Sequence, residues 1–125
     1  MIPRISNSDF WSALDSLIAG SEIVIDRPKN SHHPKYHDMI YPLDYGYLKN
    51  TRSMDSQGID VWRGSLKDEK LNALMVIVDL WKRDSEIKLL IGVTDEEAKI
   101  IYDFHNNNGD AMQGILIPRE EPCDV

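Results

Sequence analysis

Apolar residues recur along the chain with two different periods, and these periods divide it into predicted helices and strands. Residues 8–19 carry apolar side chains at three- and four-residue intervals, which predicts an amphipathic helix. Ser8 is its predicted N-cap, and Gly20 is the predicted left-handed residue after its last turn. The predicted inward face of this helix consists of Phe10, Leu14, Leu17 and Ile18.

A second helix is predicted to begin after Thr94. The Thr94 hydroxyl and Glu97, three residues further on, have the spacing of a capping box. The tract Asn106–Gly109 is a strong stop signal and is predicted to end the helix. The apolar face between these signals consists of Ala98, Ile101, Phe104 and His105.

Five segments have the composition or the two-residue alternation of β-strands. They are residues 22–26, 59–63, 71–81, 86–93 and 111–117. Residues 71–81 are nearly unbroken apolar, which predicts a central strand covered on both faces. The charged link 82–85 predicts a hairpin to the next strand, whose inward residues are Ile87, Leu89, Ile91 and Val93.

The order of elements favours an α+β fold that is mainly β with flanking helices. Strands dominate, connections are short and the helices lie outside, as expected of a small five-stranded OB-like barrel rather than a parallel βαβ sheet. With 125 residues, the chain is predicted to form a single domain, 1–125.

Composition narrows the classes of partner. The net charge is −7 and the pI about 4.9, which disfavours nucleic acid and anionic membranes, although a bound metal ion would still let the chain bind phosphate. No apolar run is long enough to cross a bilayer, and the N-terminal residues do not have the pattern of a secretory signal. The single cysteine, Cys123, excludes an intrachain disulfide and favours a cytoplasmic location.

Three short segments concentrate groups that bind metals or phosphate. In residues 55–61, Asp55 and Asp60 flank a glycine turn, and hard cations such as Mg²⁺ prefer such oxygen ligands. Residues 41–47 present three tyrosine hydroxyls, and residues 82–88 lead from a charged turn into a strand. Taken singly, each segment is more often a solvated turn, half-buried aromatic packing or a charged hairpin tip.

Three loop histidines, His32, His33 and His37, are a further candidate site. Three neighbouring imidazoles are able to bind a transition metal, but their spacing matches no standard zinc pattern. Solvated loop histidines are the favoured interpretation.

Taken together, the segments resemble the family I soluble inorganic pyrophosphatases. The family pattern is a strand ending in Glu-x-Pro, a lysine loop, Tyr-Pro-x-Asp/Asn-Tyr-Gly, and then Asp-x-Asp-Pro-x-Asp-Val. This chain has, in the same order, Ile25-Asp26-Arg27-Pro28, Lys35-Tyr36, Tyr41-Pro42-Leu43-Asp44-Tyr45-Gly46-Tyr47, Asn50-Thr51 and Asp55-Ser56-Gln57-Gly58-Ile59-Asp60-Val61. The resemblance is good over about a third of the chain and looser after Val61.

The resemblance implies hydrolysis of pyrophosphate by a water activated on Mg²⁺, with Mn²⁺ as a second candidate, and a homo-oligomeric assembly. The implied metal ligands are Asp26, Asp55, Asp60, Asp84 and Glu86. The implied phosphate-binding residues are Lys35, Tyr45 and Lys88. The implied catalytic residues are Tyr41, Asp55, Gln57 and Asp60.

Departures from the family pattern leave two alternatives open. Gln57 stands where the family has the aspartate that orients the attacking water, and an amide is a poor base. The family's arginine hairpin is missing, so Arg27, Arg52 or Arg63 would have to replace that arginine. One alternative is therefore a catalytically impaired phosphate- or nucleotide-binding module on the same fold.

The second alternative is a protein that has kept only the fold and binds other proteins. Its motivation is the three tryptophans, Trp11, Trp62 and Trp81, which would serve as contact residues if exposed. Burial of these side chains would remove that motivation.

Overall fold

The computed structural model describes residues 1–109 and 111–120 and contains two helices and six strands. Cys123 lies outside the described residues. In chain order the elements are α1 (Ser8–Ala19), β1 (Ile23–Arg27), β2 (Asp44–Leu48), β3 (Asp60–Arg63), β4 (Leu71–Asp79), β5 (Asp84–Ile91), α2 (Asp95–Asn106) and β6 (Met112–Pro118). In this part of the chain, neither helix is long and apolar enough to cross a membrane.

The strands form one sheet in the order β1-β2-β3-β5-β4-β6. All neighbours are antiparallel except β3 and β5, which run parallel with Val61 opposite Leu89. The prediction of a mainly β, OB-like fold with flanking helices is confirmed. There are six strands rather than five, and among the described residues the edge strands β1 and β6 do not pair to close the sheet.

The additional strand is β2, in a segment for which the sequence predicted no element. Its central residue, Gly46, is where β1 passes very close: a Cβ at this position would lie 1.8 Å from the Val24 carbonyl oxygen. A glycine usually weakens a strand, but here it allows a close backbone approach that any side chain would block. This packing brings Tyr45 and Tyr47 to their positions on either side of Gly46.

The predicted hairpin of residues 71–93 is confirmed, with one error in its inward face. β4 lies between β5 and β6 and is covered on both faces over most of its length. On β5, Ile87 is 43% exposed and Lys88 is buried, the opposite of the predicted alternation. The reversal arises because the Lys88 ammonium has three oxygen partners inside the protein, so its burial does not leave a charge unpaired.

Two hydrophobic clusters lie on opposite faces of the sheet, and each is covered by one helix. Trp62, Met75 and Leu90 belong to the first cluster, which packs against α2. Leu74 and Leu89 belong to the second cluster, which packs against α1. The α2 prediction is correct in its capping box, its inward face and its end.

The bounds of α1 and two of its four predicted inward residues, Leu14 and Ile18, are as predicted, but the other two residues and the caps are not. Trp11 and Ile18 are the buried residues, whereas Phe10 and Leu17 are exposed. The N-cap is Asn7 rather than Ser8, and no side chain makes a capping hydrogen bond. Gly20 has φ −89° and is not left-handed.

The described residues that follow β6 contact α1 and the residue before it. Arg119 forms a two-point ion pair with Asp15, at 2.8 and 2.6 Å. The Glu120 carboxylate accepts the backbone N–H of Asn7 and therefore occupies the N-terminus of α1, where negative charge is favourable.

Candidate active site

A cleft of about 900 Å³ opens on the face of the sheet that carries α2, and nine of the ten site residues nominated from the sequence line it. These nine are Asp26, Tyr41, Tyr45, Asp55, Gln57, Asp60, Asp84, Glu86 and Lys88. The tenth, Lys35, is not among the lining residues. Its ammonium instead lies 5.4 Å from the centre of the Tyr36 ring.

Lys88 is the centre of the most highly connected polar cluster in the cleft. Its ammonium donates to the Tyr45 hydroxyl at 2.6 Å, to Asp60 Oδ2 at 2.7 Å and to Glu86 Oε1 at 3.0 Å. Burial alone would lower the pKa of Lys88, but the negative groups around the ammonium outweigh it and raise the pKa. Lys88 therefore remains charged while only 5% exposed.

The register of the sheet explains why these groups meet. Val61 pairs with Leu89 in the parallel ladder, so the residues before them, Asp60 and Lys88, lie side by side. Tyr45 comes from β2, on the other side of β3. Glu86 lies two residues before Lys88 on β5 and therefore faces the same side.

An aromatic cluster forms the inner wall behind Lys88. The Tyr45 ring lies 4.7 Å from the Trp62 ring and 5.3 Å from Tyr41, centre to centre. Trp62 Nε1–H donates to His105 Nε2 at 3.0 Å. Burial, assisted by the positive charge of Lys88, lowers the pKa of His105 to about 3, so the imidazole is neutral and acts as the acceptor.

Tyr45 of this wall offers the hydroxyl expected from its motif, whereas His105 was not predicted to belong to the site. Burial raises the pKa of Tyr45, so its phenol keeps its proton, and the hydroxyl remains able to donate. The sequence predicted only that His105 lies on the apolar face of the second helix. No spacing pattern in the sequence relates it to Trp62, because the two residues meet through tertiary packing.

The cleft contains one of the three arginines considered as replacements for the missing one. Arg27 lines the cleft and donates from Nη1 to the Tyr41 hydroxyl at 2.5 Å. Arg63 instead donates to backbone carbonyl groups, at 2.9 Å for Gly64 and 3.3 Å for Lys67. Arg52 is not among the lining residues.

The Asp55 loop is organised by its own hydrogen bonds. Asp55 Oδ1 accepts from the Ser53 hydroxyl and from the backbone N–H of Gln57. These two bonds lower the pKa of Asp55 and keep it ionised at the cleft edge. Ser56, between them, adopts the left-handed conformation with φ 66°.

The oxygen ligands of the cleft fit Mg²⁺ that arrives with phosphate, but not a preformed metal cage. Within residues 1–109 and 111–120 there is no group of three or more His, Cys, Asp or Glu side chains placed to hold a metal ion. Asp60 and Glu86 share the Lys88 ammonium instead. Mg²⁺ commonly uses only one or two carboxylates together with water and phosphate oxygens, which agrees with carboxylates dispersed around the cleft.

The histidine loop is not arranged as a metal site either. His32 Nδ1 lies 2.6 Å from the His37 carbonyl oxygen. His33 Nδ1 accepts the backbone N–H groups of Lys35 and Tyr36. These ring nitrogens therefore hold the loop in shape.

The architecture is a mainly β, OB-like sheet with an acidic, phenol-lined cleft. Comparison with protein-family models gives no match, and comparison with the curated protein sequences gives none either. Comparison with solved structures does find similar folds.

The similar structures include the inorganic pyrophosphatase of Helicobacter pylori, with a TM-score of 0.52 and 15% sequence identity, covering 79% of this chain and 82% of that one. They also include the inorganic phosphatase of Anaplasma phagocytophilum, with a TM-score of 0.51 and 16% identity, covering 75% of this chain and 80% of that one. The chain therefore has a pyrophosphatase-like fold on a divergent sequence.

Proposed function

We propose that this protein hydrolyses inorganic pyrophosphate, or a closely related phosphoanhydride, with Mg²⁺ as its cofactor. The observation that carries the proposal is the cleft, in which residues of the tyrosine motif, the aspartate motif and the β4–β5 hairpin lie together on a pyrophosphatase-like fold. These residues come from separate parts of the sequence, and ordinary packing gives no reason for so many polar groups to line one wall.

Phosphate oxygens are proposed to be bound by the cationic and phenolic groups. The Arg27 guanidinium, held at the Tyr41 hydroxyl, presents its remaining N–H groups for a phosphate oxygen. Lys88 and the Tyr45 hydroxyl supply positive charge and a hydrogen bond further in. Each of these donors stabilises negative charge that grows on the leaving phosphate.

The carboxylates are proposed to hold the cofactor. Asp55, Asp60 and Asp84 are the first candidates, and Asp26 and Glu86 complete the set. Seven carboxylates and three cationic side chains line the cleft, so a phosphate anion is repelled until the excess negative charge is neutralised. When bound, Mg²⁺ would supply that neutralisation and lower the pKa of a coordinated water.

Gln57 is proposed to orient the water without accepting its proton. Its amide oxygen accepts a hydrogen bond, but an amide does not take up a proton at ordinary pH. The proton must then pass to a neighbouring carboxylate, for which Asp55 is the nearest candidate in the chain. Slow turnover follows from this arrangement.

Phosphate release from Mg²⁺ and pyrophosphate tests the proposal. We expect metal-dependent release above the rate without protein, and its loss in Asp55→Ala, because a hard cation loses a charged ligand. The matched control is Asp68→Ala, which removes an exposed loop carboxylate that does not line the cleft. Folded protein without turnover across several metals and pH values would refute the enzymatic proposal.

A second candidate function, binding of phosphate or nucleotide without turnover, is favoured by Gln57. Calorimetry that detects Mg²⁺-dependent binding without phosphate release would support it. Gln57→Asp separates the two candidates, because it restores a base beside the attacking water and should raise a measurable hydrolysis rate. An unchanged or lower rate would mean that residue 57 does not orient the water.

We further propose that the protein is a single domain over residues 1–125 and that it lies in the cytoplasm. We expect it to assemble with further copies of the same chain and to have no nucleic-acid or membrane partner. The support for these points is the length, the acidic charge and the single cysteine of the sequence.

A further inference from the structure

Trp81 stands at the mouth of the cleft with its indole ring unpartnered. It lies in the tip between β4 and β5, is 79% exposed and lines the cleft. Within the described residues, no aromatic ring or cationic side chain packs on it. Exposing an indole ring to water to this extent is unfavourable. Exposed aromatic side chains are common where a protein stacks against a ligand.

The hairpin tip holds Trp81 in a defined backbone position. Asp79 Oδ1 accepts the backbone N–H of Trp81 at 3.0 Å and that of Lys82 at 3.1 Å. Arg83 completes the turn with φ 56°. The ring is thus presented by a fixed turn, which lowers the entropy lost when a flat ligand stacks on it.

A second exposed aromatic residue, Tyr36, also lines the cleft. Tyr36 is 47% exposed, and its ring lies 5.1 Å from that of His33. Trp81 and its neighbour Lys82 line the same cleft as Tyr36 and His33. Exposed aromatic rings from the hairpin tip and from the histidine loop therefore both face this cleft.

The distance from the mouth to the cationic centre exceeds what inorganic pyrophosphate needs. Asp84, Glu86 and Lys88 line the cleft at every second residue of β5, so the wall from Asp84 to Lys88 is about 13 Å long. Trp81 lies beyond the Asp84 end. The cleft volume of about 900 Å³ is near the upper end of the range for sites that bind drug-sized organic ligands.

We propose that the substrate is a nucleoside 5′-polyphosphate, with its base stacked on Trp81 and its phosphates directed towards Arg27 and Lys88. This inference rests on the proposed function and names the substrate class of the same site. Every nucleobase has a flat face able to stack on an indole, so the mouth selects for an aromatic ring and not for one particular base.

The reaction consumes one water for each anhydride bond. The water oxygen bonds to the terminal phosphorus, and the bond from that phosphorus to the bridging oxygen breaks. The bridging oxygen leaves with the bonding electrons on the nucleoside diphosphate, and the proton lost from the water passes to the neighbouring carboxylate, for which Asp55 is the candidate, and from there to solvent. The products from a nucleoside triphosphate are the diphosphate and inorganic phosphate.

Calorimetry with Mg²⁺ and either ADP or pyrophosphate, on the wild type and Trp81→Ala, tests the inference. We expect Trp81→Ala to weaken ADP binding about ten-fold or more and to leave pyrophosphate binding unchanged. Trp81→Phe should restore much of the ADP affinity. Leu80→Ala is the matched control, since Leu80 is 65% exposed on the same turn and does not line the cleft.

The outcomes separate this inference from the proposal beneath it. Pyrophosphate binding and turnover combined with no effect of Trp81→Ala on ADP would overturn the stacking site and leave the pyrophosphatase proposal standing. Equal weakening of both ligands by Trp81→Ala would also overturn it, because a stacking residue has no ring to contact in pyrophosphate. Absence of binding of either ligand by the folded protein would overturn both.

Discussion

At the scale of single residues, Lys88 is the clearest case of a buried charge whose environment explains it. Its ammonium touches one phenol and two carboxylates, and the carboxylate side chains are each 24% exposed. Replacing it with methionine leaves Asp60 and Glu86 close together without a cation. We expect Lys88→Met to lower the free energy of unfolding by about 3 kcal/mol, measured by urea denaturation at neutral pH.

The control for this prediction makes the same change in an exposed pair. Lys99 contacts Asp103 at 2.7 Å one helical turn away, and its side chain is 69% exposed. Lys99→Met should cost only about 0.3–0.5 kcal/mol because water solvates both charges. Equal losses for the two variants would mean that the Lys88 cluster contributes no more than a surface pair.

His105 provides a residue-scale prediction about pH. In the folded protein its pKa is lowered to about 3, chiefly by burial, whereas the unfolded chain takes up a proton near 6.5. The contribution of His105 to the free energy of unfolding is therefore fully present above about pH 6.5. It is lost as the pH falls towards 3, and the free energy of unfolding then falls by at most about 1.4 kcal/mol per pH unit.

The variant His105→Gln isolates this contribution. Its amide oxygen is still able to accept the Trp62 Nε1–H, but it does not titrate. Urea denaturation from pH 7 to 4 measures the free energy of unfolding of both proteins. As the pH falls, that of the wild type should decrease relative to that of the variant. Parallel curves would show that His105 is not neutral in the folded state.

The sequence predicted which residues line the cleft more readily than it predicted which of them contact one another. Fixed motifs identify Tyr41, Asp55 and Asp60 because spacing along the chain is visible in one dimension. The contact of Arg27 with Tyr41 depends on how β1 and the loop after it fold back, and that is decided by tertiary packing. Lys35 shows the converse, since a matching position in the motif still leaves the side chain on the loop surface.

At the scale of elements, the two helix starts differ in a way that is directly testable. The Thr94 hydroxyl accepts the backbone N–H of Glu97, and the Glu97 carboxylate accepts the backbone N–H of Thr94. Thr94→Ala should lower the free energy of unfolding by about 1 kcal/mol in urea denaturation. Ser8→Ala is the natural comparison, because Ser8 was predicted to be a cap and makes no capping bond.

We expect Ser8→Ala to change stability by less than about 0.5 kcal/mol. A loss similar to that of Thr94→Ala would show that the Ser8 hydroxyl stabilises α1 after all. The error at α1 has a physical origin. Serine is a common cap, but the chain instead provides negative charge from Glu120, which is distant in sequence.

The difference between local sequence signals and contacts made by tertiary packing also explains which strands were predictable. The nearly unbroken apolar run of β4 and the alternation of β5 mark both segments as strands, and the structure agrees. β2 is short and centred on Gly46, a residue that favours no strand by itself. Its pairing on both sides, with β1 and β3, makes it a strand.

At the scale of the whole molecule, the part of the α1 face of the sheet that α1 leaves exposed is the surface on which we expect copies of the chain to meet. The cross-strand register brings Val76 beside both Ile87 and Ile115. With Val78 and Ile117 they form a patch of large aliphatic side chains, most of them 36–60% exposed. An uncovered patch of this kind is a common site of association.

Sedimentation or light scattering at micromolar concentration checks this expectation. The wild type should exceed the 14.4 kDa of one chain, and Ile115→Lys should reduce the mass to that of one chain. Ile100→Lys, at an equally open position on α2, should leave the mass unchanged. A wild-type mass of 14.4 kDa would refute the assembly.

The parallel ladder between β3 and β5 also bears on the order of events as the chain folds. Asp60 and Lys88 are 28 positions apart, and Tyr45 and Lys88 are 43 apart, so no local segment contains the ammonium and its partners. Closing such separations is slow compared with forming a helix or a hairpin. Ligand binding should therefore emerge only at the last kinetic phase of refolding, and neither fragment of a chain cleaved between β3 and β4 should bind by itself.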